Sequence, residues 1–377
     1  MRTGSEHAEP IVVSGSSEED GDWSHAFGER IEERLRELFA EERLRCGRFA
    51  PTSQKVIDAL RTAALSGGKR LRPGLAFLAF VGAGGAPSDP RVVDAGAAIE
   101  LLHAGCLLHD DIMDESPVRR NLPTVHVGFE TIHRTAGYRG DSCRFGESVA
   151  TLVGDLAFFY AMGLIANAGF DAQRVFFRIA VDVCIGQYLD VLGTVSPDES
   201  DQDPALIAQY KTARYTVEGP LHLGAALAGR LDELAGVLSG YGEPLGHAYQ
   251  LRDDLLGAFG DPEVTGKPVG DDLRQGKCTL LLTIARQRRC ELPASSADLL
   301  DKVGCGDLND VELRRVQELL IELGARDHVR RMCETLAARA VAAIEPAPMG
   351  ESIKETLKDF ARHLTRSVEV LAPPSAP

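Results

Sequence analysis

The residues best suited to chemistry are two acidic clusters, each set in an apolar helical stretch: His109-Asp110-Asp111-Ile112-Met113-Asp114-Glu115 and Gln250-Leu251-Arg252-Asp253-Asp254-Leu255-Leu256. Each opens on paired aspartates behind apolar residues such as Leu107, Leu108 and Leu251. Two carboxylates about 4 Å apart repel by roughly 4 kcal/mol at an effective dielectric near 20, so something cationic must offset them. Hard divalent ions take oxygen ligands and also hold substrate phosphates. The pair of clusters therefore predicts a pocket in which Mg²⁺ bridges aspartates to a diphosphate.

In a helix, Asp110 and Asp114 stand at i and i+4 on one face, with Asp111 about 100° round. The stretch from Ala97 to Leu108 is largely apolar, which puts the acids at a helix C-terminus. The macrodipole makes that end unfavourable for negative charge. A structural helix would carry Lys or Arg there; a solvated acidic helix end is the bland alternative. Arg119-Arg120 and then Pro123-Thr124-Val125-His126 follow. Arginine forks match phosphate oxygens, although these arginines could equally neutralise the aspartates.

Gly67-Gly68-Lys69-Arg70-Leu71-Arg72-Pro73 places three cations beside two glycines, which let backbone N–H groups approach an anion. It is not a Walker loop, because the GxxxxGK[ST] pattern is absent and the flanks are helical. His103, one to two turns before Asp110, offers a further donor or is a satisfied core histidine. Around the second cluster, Gln250 lies one turn before the acids and position 257 is glycine. The loop beyond carries Lys267, then Asp271-Asp272, Arg274 and Lys277. Lys211-Thr212 lie in a helical segment with Arg214 and Glu218. Lys211 reads either as a diphosphate contact or as a surface lysine.

The elements that must position these groups are helical. Helical patterns run over 23–45, 53–84 (interrupted at Gly67-Gly68 and Pro73), 91–116, 147–168, 171–192, 204–229, 231–259, 278–289, 310–322, 324–344 and 350–371. Alternating β-patterns are lacking. The expected class is all-α, one large helical domain over 23–371. An acidic arm over 1–22 and a tail over 372–377 are expected to be disordered. Three stretches read as loops: 116–141, 193–204 and 260–276. Ser148 to Phe170 is apolar except for Asp155 and Asn167, and it reads as a buried bundle helix rather than a membrane span.

A chain of 377 residues with 44% hydrophobic content can bury a sizeable core. Its net charge of −15 argues against nucleic acid or an anionic membrane as the main partner. The eight cysteines form no Cys-x-x-Cys pair, which disfavours zinc and a disulfide framework and fits a reducing cytosol. The N-terminus lacks the apolar run of a signal peptide.

Taken in order, GGKRLRP, LLHDDIMDESPVRR with PTVH, YKTARYT, QLRDDLLGAFGDPEVTGKPVGDD and GK resemble the trans-isoprenyl diphosphate synthases, the polyprenyl synthetases, over about residues 50 to 285. The longer stretch after the first cluster resembles bacterial, actinobacterial-type members. The resemblance implies a helical bundle around a deep central cavity (the isoprenoid synthase fold), a homodimer, no transmembrane segment and a cytoplasmic location. It implies that Asp110, Asp111 and Asp114 hold two Mg²⁺ ions on an allylic diphosphate (dimethylallyl, geranyl or farnesyl), and that Asp253 with Asp254 holds a third. Arg119, Lys211, Lys267 and Lys277 would grip that diphosphate. Gly68, Lys69, Arg72, His103 and Arg120 would bind isopentenyl diphosphate. Lys211, Thr212 and Gln250 would serve the reacting centre. The reaction implied is 1'-4 condensation with loss of diphosphate. One departure stands out: the family's second cluster is DDxxD, and here its last acid is Gly257.

In this family, bulky aromatics four and five positions before the first Asp stop the product at fifteen carbons. Here those positions are Cys106 and Gly105, so a deeper floor is expected, with Phe158, Phe159 or Tyr160 as candidates. Geranylgeranyl diphosphate is the expected product, with farnesyl or longer chains as alternatives. A class I terpene cyclase would need an NSE-type second site, and a non-catalytic partner subunit would have lost its metal acids; both fit the residues less well.

Overall fold

A computed structural model describes residues 18–196, 203–260, 270–304 and 308–369. The described residues are overwhelmingly helical and fall into two compact units. One comprises Ser16–Phe176 with Leu223–Arg230; the other comprises Phe177–His222 with Leu231–Pro377. Lys267 and the tail over 372–377 lie outside the described residues, as does the arm as far as residue 17.

In the first unit, helix α1 (Glu18–Phe49) begins five residues inside the expected arm. Helix α2 (Gln54–Leu65) ends before Gly67-Gly68, both at positive φ, and α3 spans Leu71–Gly82. Pro73 does not interrupt α3. It stands in the first turn, where the N–H that it lacks would have no helical partner. Helix α4 (Pro90–Met113) is capped by Asp89, whose carboxylate accepts from the Arg91 N–H, with Pro90 at the position suited to proline.

The stretch 116–141 is more ordered than a loop. It holds a two-residue hairpin, β1 (Val118–Arg119) against β2 (Leu122–Pro123), and helix α5 (Val125–Thr135). Arg120 and Asn121 join the strands at φ 51° and 61°, the double left-handed geometry of a tight hairpin turn. Helix α6 (Ser142–Ile165), capped by Asp141, packs along α4. Small residues make this approach close: a Cβ on Gly154 would lie 2.3 Å from His109 Nε2. α6 is not buried all round, contrary to the reading of its sequence. Ala150, Val153, Ala157 and Ala161 are buried, whereas Leu152, Phe159 and Met162 are exposed. By length and composition α4 and α6 could each cross a bilayer, but α4 is mostly buried within its unit.

After α8 (Pro204–Ala208) and α9 (Gly219–Leu227), the second unit is built on α10 (Leu231–Phe259). The π-helical segment Gln209–Glu218 docks on α10 where glycines leave room: a Cβ on Gly246 would lie 2.3 Å from Ala213 Cα, and one on Gly242 2.8 Å from Glu218 Cα. Pro244 lies between them inside the helix. On the far side, Ala248 O accepts from Cys333 Sγ at 3.3 Å, and the buried Tyr241 hydroxyl donates to Leu357 O at 2.7 Å. Helix α7 (Phe170–Val195) contributes its C-terminal part to this unit, and the short helix α11 spans Asp271–Arg274.

Candidate active site

The first cluster closes α4. Asp110 and Asp111 lie in its last turn and Asp114 caps it, the Asp114 N–H still donating to Asp110 O at 2.8 Å. The hairpin brings Arg119 onto this turn. Its Nε donates to Asp111 Oδ1 at 2.6 Å and its Nη2 to Asp110 Oδ2 at 3.3 Å. Asp111 is buried, and burial raises its pKa; Arg119 opposes that rise. The guanidinium thus stands where the carboxylates need a cation, and it is the group that a divalent ion would have to share them with.

The basic motif divides into two roles. Arg70, at φ 46°, turns inward: Nη1 pairs with the buried Glu100 and Nη2 lies 3.3 Å from Glu32 Oε1. This arginine is structural. Arg120 bonds Ser66 Oγ at 3.0 Å and the Gly67 carbonyl, and its Nη2 lies 3.3 Å from where a Gly68 Cβ would be. His103 is held neutral, its pKa well below the ordinary histidine value. Burial is the main cause, reinforced by the charges of Arg72, Arg120, Arg119 and Arg70. These arginines and His103 therefore form one electropositive neighbourhood, and Lys69 is exposed beside it. A neutral imidazole there remains a hydrogen-bond donor without adding charge.

Below the first cluster, Gly105 faces α6 rather than open space. A Cβ there would lie 2.5 Å from Phe158 Cε1, and the Phe158 ring stacks edge-on to His109 at 5.3 Å. Cys106, about 100° round the helix, is the small residue directly one turn below Asp110. Phe159 is 67% exposed and forms no floor within this chain. Tyr160 turns to α1, where its hydroxyl donates to Glu42 Oε2 at 2.8 Å. Of the three aromatics, Phe158 is the one that meets Gly105.

The second cluster lies on α10 and the elements that pack on it. Thr212 donates its hydroxyl to Gln250 Oε1, and Gln250 Nε2 donates to Asp254 Oδ1 at 2.7 Å. This chain of bonds fixes the orientation of the Gln250 amide. Asp253 is partly exposed and takes a bond from Arg252 Nη1 at 3.3 Å. Asp254 is buried, and its pKa rises to about 8, first through desolvation and then through the charges of Asp272, Asp253 and Asp190, against a lowering by Gln250.

Two further acids, Asp190 and Asp272, lie here; Asp190 was not singled out from sequence, and Asp272 was named there without a role. Asp190 on α7 pairs with Lys211 Nζ at 2.6 Å. The approach depends on Gly186, one turn earlier, where a Cβ would lie 2.5 Å from the Lys211 backbone nitrogen. An acid among the apolar residues at the C-terminal end of α7 was the available signal. Asp272 lies with Oδ1 3.5 Å from Lys277 Nζ and Oδ2 against Gly257. Lys277, expected to grip diphosphate, is thus paired with Asp272.

Among the described residues, no group of three or more His, Cys, Asp or Glu side chains is close enough to cage an ion alone. The donor chemistry is nevertheless that of a hard divalent ion, since both sets offer carboxylate oxygens. Mg²⁺ is held by one or two carboxylates with substrate phosphate and water completing its octahedron.

A model of the polyprenyl synthetase family matches residues 53–316. The chain is 32% identical over 315 residues to the geranylfarnesyl diphosphate synthase of Aeropyrum pernix, covering 81% of this chain and 92% of that one. It is 34% identical over 290 residues to the geranylgeranyl diphosphate synthase of Mycobacterium tuberculosis, covering 76% and 77%. The solved structure of geranylgeranyl pyrophosphate synthase from Corynebacterium glutamicum, complexed with isoprenyl diphosphate and magnesium, aligns with a TM-score of 0.84 and 32% identity over 90% of this chain and 98% of that one.

Proposed function

The chain belongs to the polyprenyl synthetase family and is a trans-prenyltransferase, and we propose that its product is geranylgeranyl diphosphate, made by 1'-4 condensation of isopentenyl diphosphate with allylic diphosphates. The observation that carries the product assignment is the small Cys106 one turn below Asp110, with Phe158 packed over Gly105 beside it.

Asp110, Asp111 and Asp114 would hold two Mg²⁺ ions, and Asp253 with Asp254 a third. When bound, the ions draw electron density onto the leaving diphosphate and ease cleavage of the allylic carbon–oxygen bond. Arg119 and Lys211 hold that diphosphate, each already positioned by a carboxylate partner. Lys267 is assigned the same role. Arg72, Arg120, Lys69 and the neutral His103, with the Gly68 backbone, take isopentenyl diphosphate. Thr212 and Gln250, bonded to each other, would supply oxygen dipoles near the developing carbocation, which stabilise it without offering a nucleophile. The double bond of isopentenyl diphosphate attacks the cation, and the departing diphosphate takes the proton that is then lost.

The enzyme is expected to work in the cytosol as a homodimer. The exposed apolar residues Leu152, Phe159 and Met162 of α6 and Val181, Ile185 and Tyr188 of α7 favour burial against a second copy. The test of function is incubation with radiolabelled isopentenyl diphosphate, an allylic diphosphate and Mg²⁺, with chromatography of the dephosphorylated products. A twenty-carbon alcohol supports the assignment; a fifteen-carbon or longer dominant product replaces it, and a released cyclic hydrocarbon contradicts elongation itself.

A further inference from the structure

Lys211 and Asp190 meet where α7 passes the π-helical segment. Gly186 opens the approach: a Cβ there would lie 2.5 Å from the Lys211 nitrogen and 2.7 Å from its Cα. One turn on, Asp190 Oδ2 accepts from Lys211 Nζ at 2.6 Å. A second pair, Arg214 Nη1 with Asp182 Oδ2 at 3.7 Å, ties the same two elements together. The first pair is largely withdrawn from water, with 16% of the Asp190 side chain and 29% of the Lys211 side chain exposed. Charges so placed are weakly screened. The charge of Asp190 is felt beyond its partner: Asp254 and Cys278, each raised in pKa first by burial, are raised further by it.

Arg119 and Lys211, both assigned to the allylic diphosphate, differ in what their carboxylate partners do. Asp110 and Asp111 are assigned to metal ions, whose charge takes over the carboxylates and leaves Arg119 to the phosphate. No ion is assigned to Asp190, so Lys211 keeps a full negative charge at hydrogen-bond distance while diphosphate is bound.

We propose that Asp190 is a counter-charge that tempers the grip of Lys211 on diphosphate, so that the site holds the allylic headgroup for reaction and still releases the inorganic diphosphate that departs. This inference rests on the assignment of Lys211 to that diphosphate, and it carries a sign. Removing the charge of Asp190 tightens diphosphate. An Asp190 that held a metal ion would act in the opposite direction. One that only steered Lys211 would change little in Asp190→Asn, whose amide oxygen still accepts from Nζ.

The experiment is isothermal titration of inorganic pyrophosphate into the full chain at fixed, excess Mg²⁺, with melting temperatures alongside. Lys211→Met is expected to weaken pyrophosphate; wild-type affinity in that variant overturns the Lys211 assignment and this inference with it. Given that loss, Asp190→Asn is expected to bind roughly tenfold tighter than wild type, the scale of removing one unit charge from a weakly screened site. Asp190→Asn/Lys211→Met is likewise expected to bind roughly tenfold tighter than Lys211→Met, because the repulsion acts through space. This second comparison decides the matter if the unpaired lysine of Asp190→Asn prevents folding. Unchanged or weaker binding on loss of the Asp190 charge, in either background, overturns the inference while leaving the Lys211 assignment standing.

Discussion

Arg119 donates from Nε to Asp111 Oδ1 at 2.6 Å, so the hairpin that follows α4 returns a fixed cation to the buried carboxylate at that helix's end. The same guanidinium also reaches Asp110 at 3.3 Å. Arg119→Ala would leave Asp111 buried without its partner, a change that in buried pairs costs about 3–5 kcal/mol. It is expected to lower the melting temperature and to raise the KM for the allylic substrate. Arg119→Lys restores charge without the fork, and is expected to recover stability more than KM. Melting curves and steady-state kinetics on the two variants check this.

Arg70 and Arg72 stand two residues apart and should fail differently. Arg70 is tied to the buried Glu100 and to Glu32, so Arg70→Ala is expected to destabilise by about 3–5 kcal/mol. Arg72→Ala is expected to leave folding near wild type and raise the KM for isopentenyl diphosphate at least tenfold. Chemical denaturation set beside kinetics separates the two; equal loss of stability in both would contradict the division.

Gly105 and Cys106 also separate by face. Gly105→Ala pushes a Cβ to 2.5 Å from Phe158 and is expected to destabilise by about 1–3 kcal/mol through overpacking. The further change Phe158→Leu is expected to relieve that strain. Cys106→Phe, one turn below Asp110, is expected to shorten the product. Chromatography of its products showing an unaltered spectrum would place the growing tail elsewhere.

Asp254 gives a pH dependence of stated sign. Its folded pKa of about 8 lies above the ordinary 3.8, so the stability it contributes is complete below 3.8 and is lost as pH rises toward 8. In EDTA, the stability difference between Asp254→Asn and wild type is expected to grow in favour of the variant from about pH 5 to 8. Parallel stability curves would show that Asp254 is not buried as a neutral acid.

Much of this was legible in the chain. The boundaries of α4, α10 and α16 (Glu351–Glu369) follow from apolar spacing and from capping residues such as Asp89. The paired aspartates, by their cost, pointed to the metal-binding role proposed for them. The hairpin and α5 were hidden because Pro123, Gly128 and Gly137 punctuate the stretch more strongly than Val125, Phe129 and Ile132 pattern it. The surroundings of Asp190 and Asp272 could not be read for a different reason: each depends on a glycine, Gly186 or Gly257, that lets another segment approach. Whether Phe158 or Phe159 points inward depends on the rotation of α6 against α4, which Gly154 and Gly105 set and no local pattern records.

The most direct test of the two carboxylate sets is Mg²⁺-dependent turnover of labelled isopentenyl diphosphate by wild type, Asp110→Asn and Asp253→Asn, each with its melting temperature. Turnover is expected to fall by several orders of magnitude in both variants with the fold intact. Wild-type turnover in either one would contradict the account.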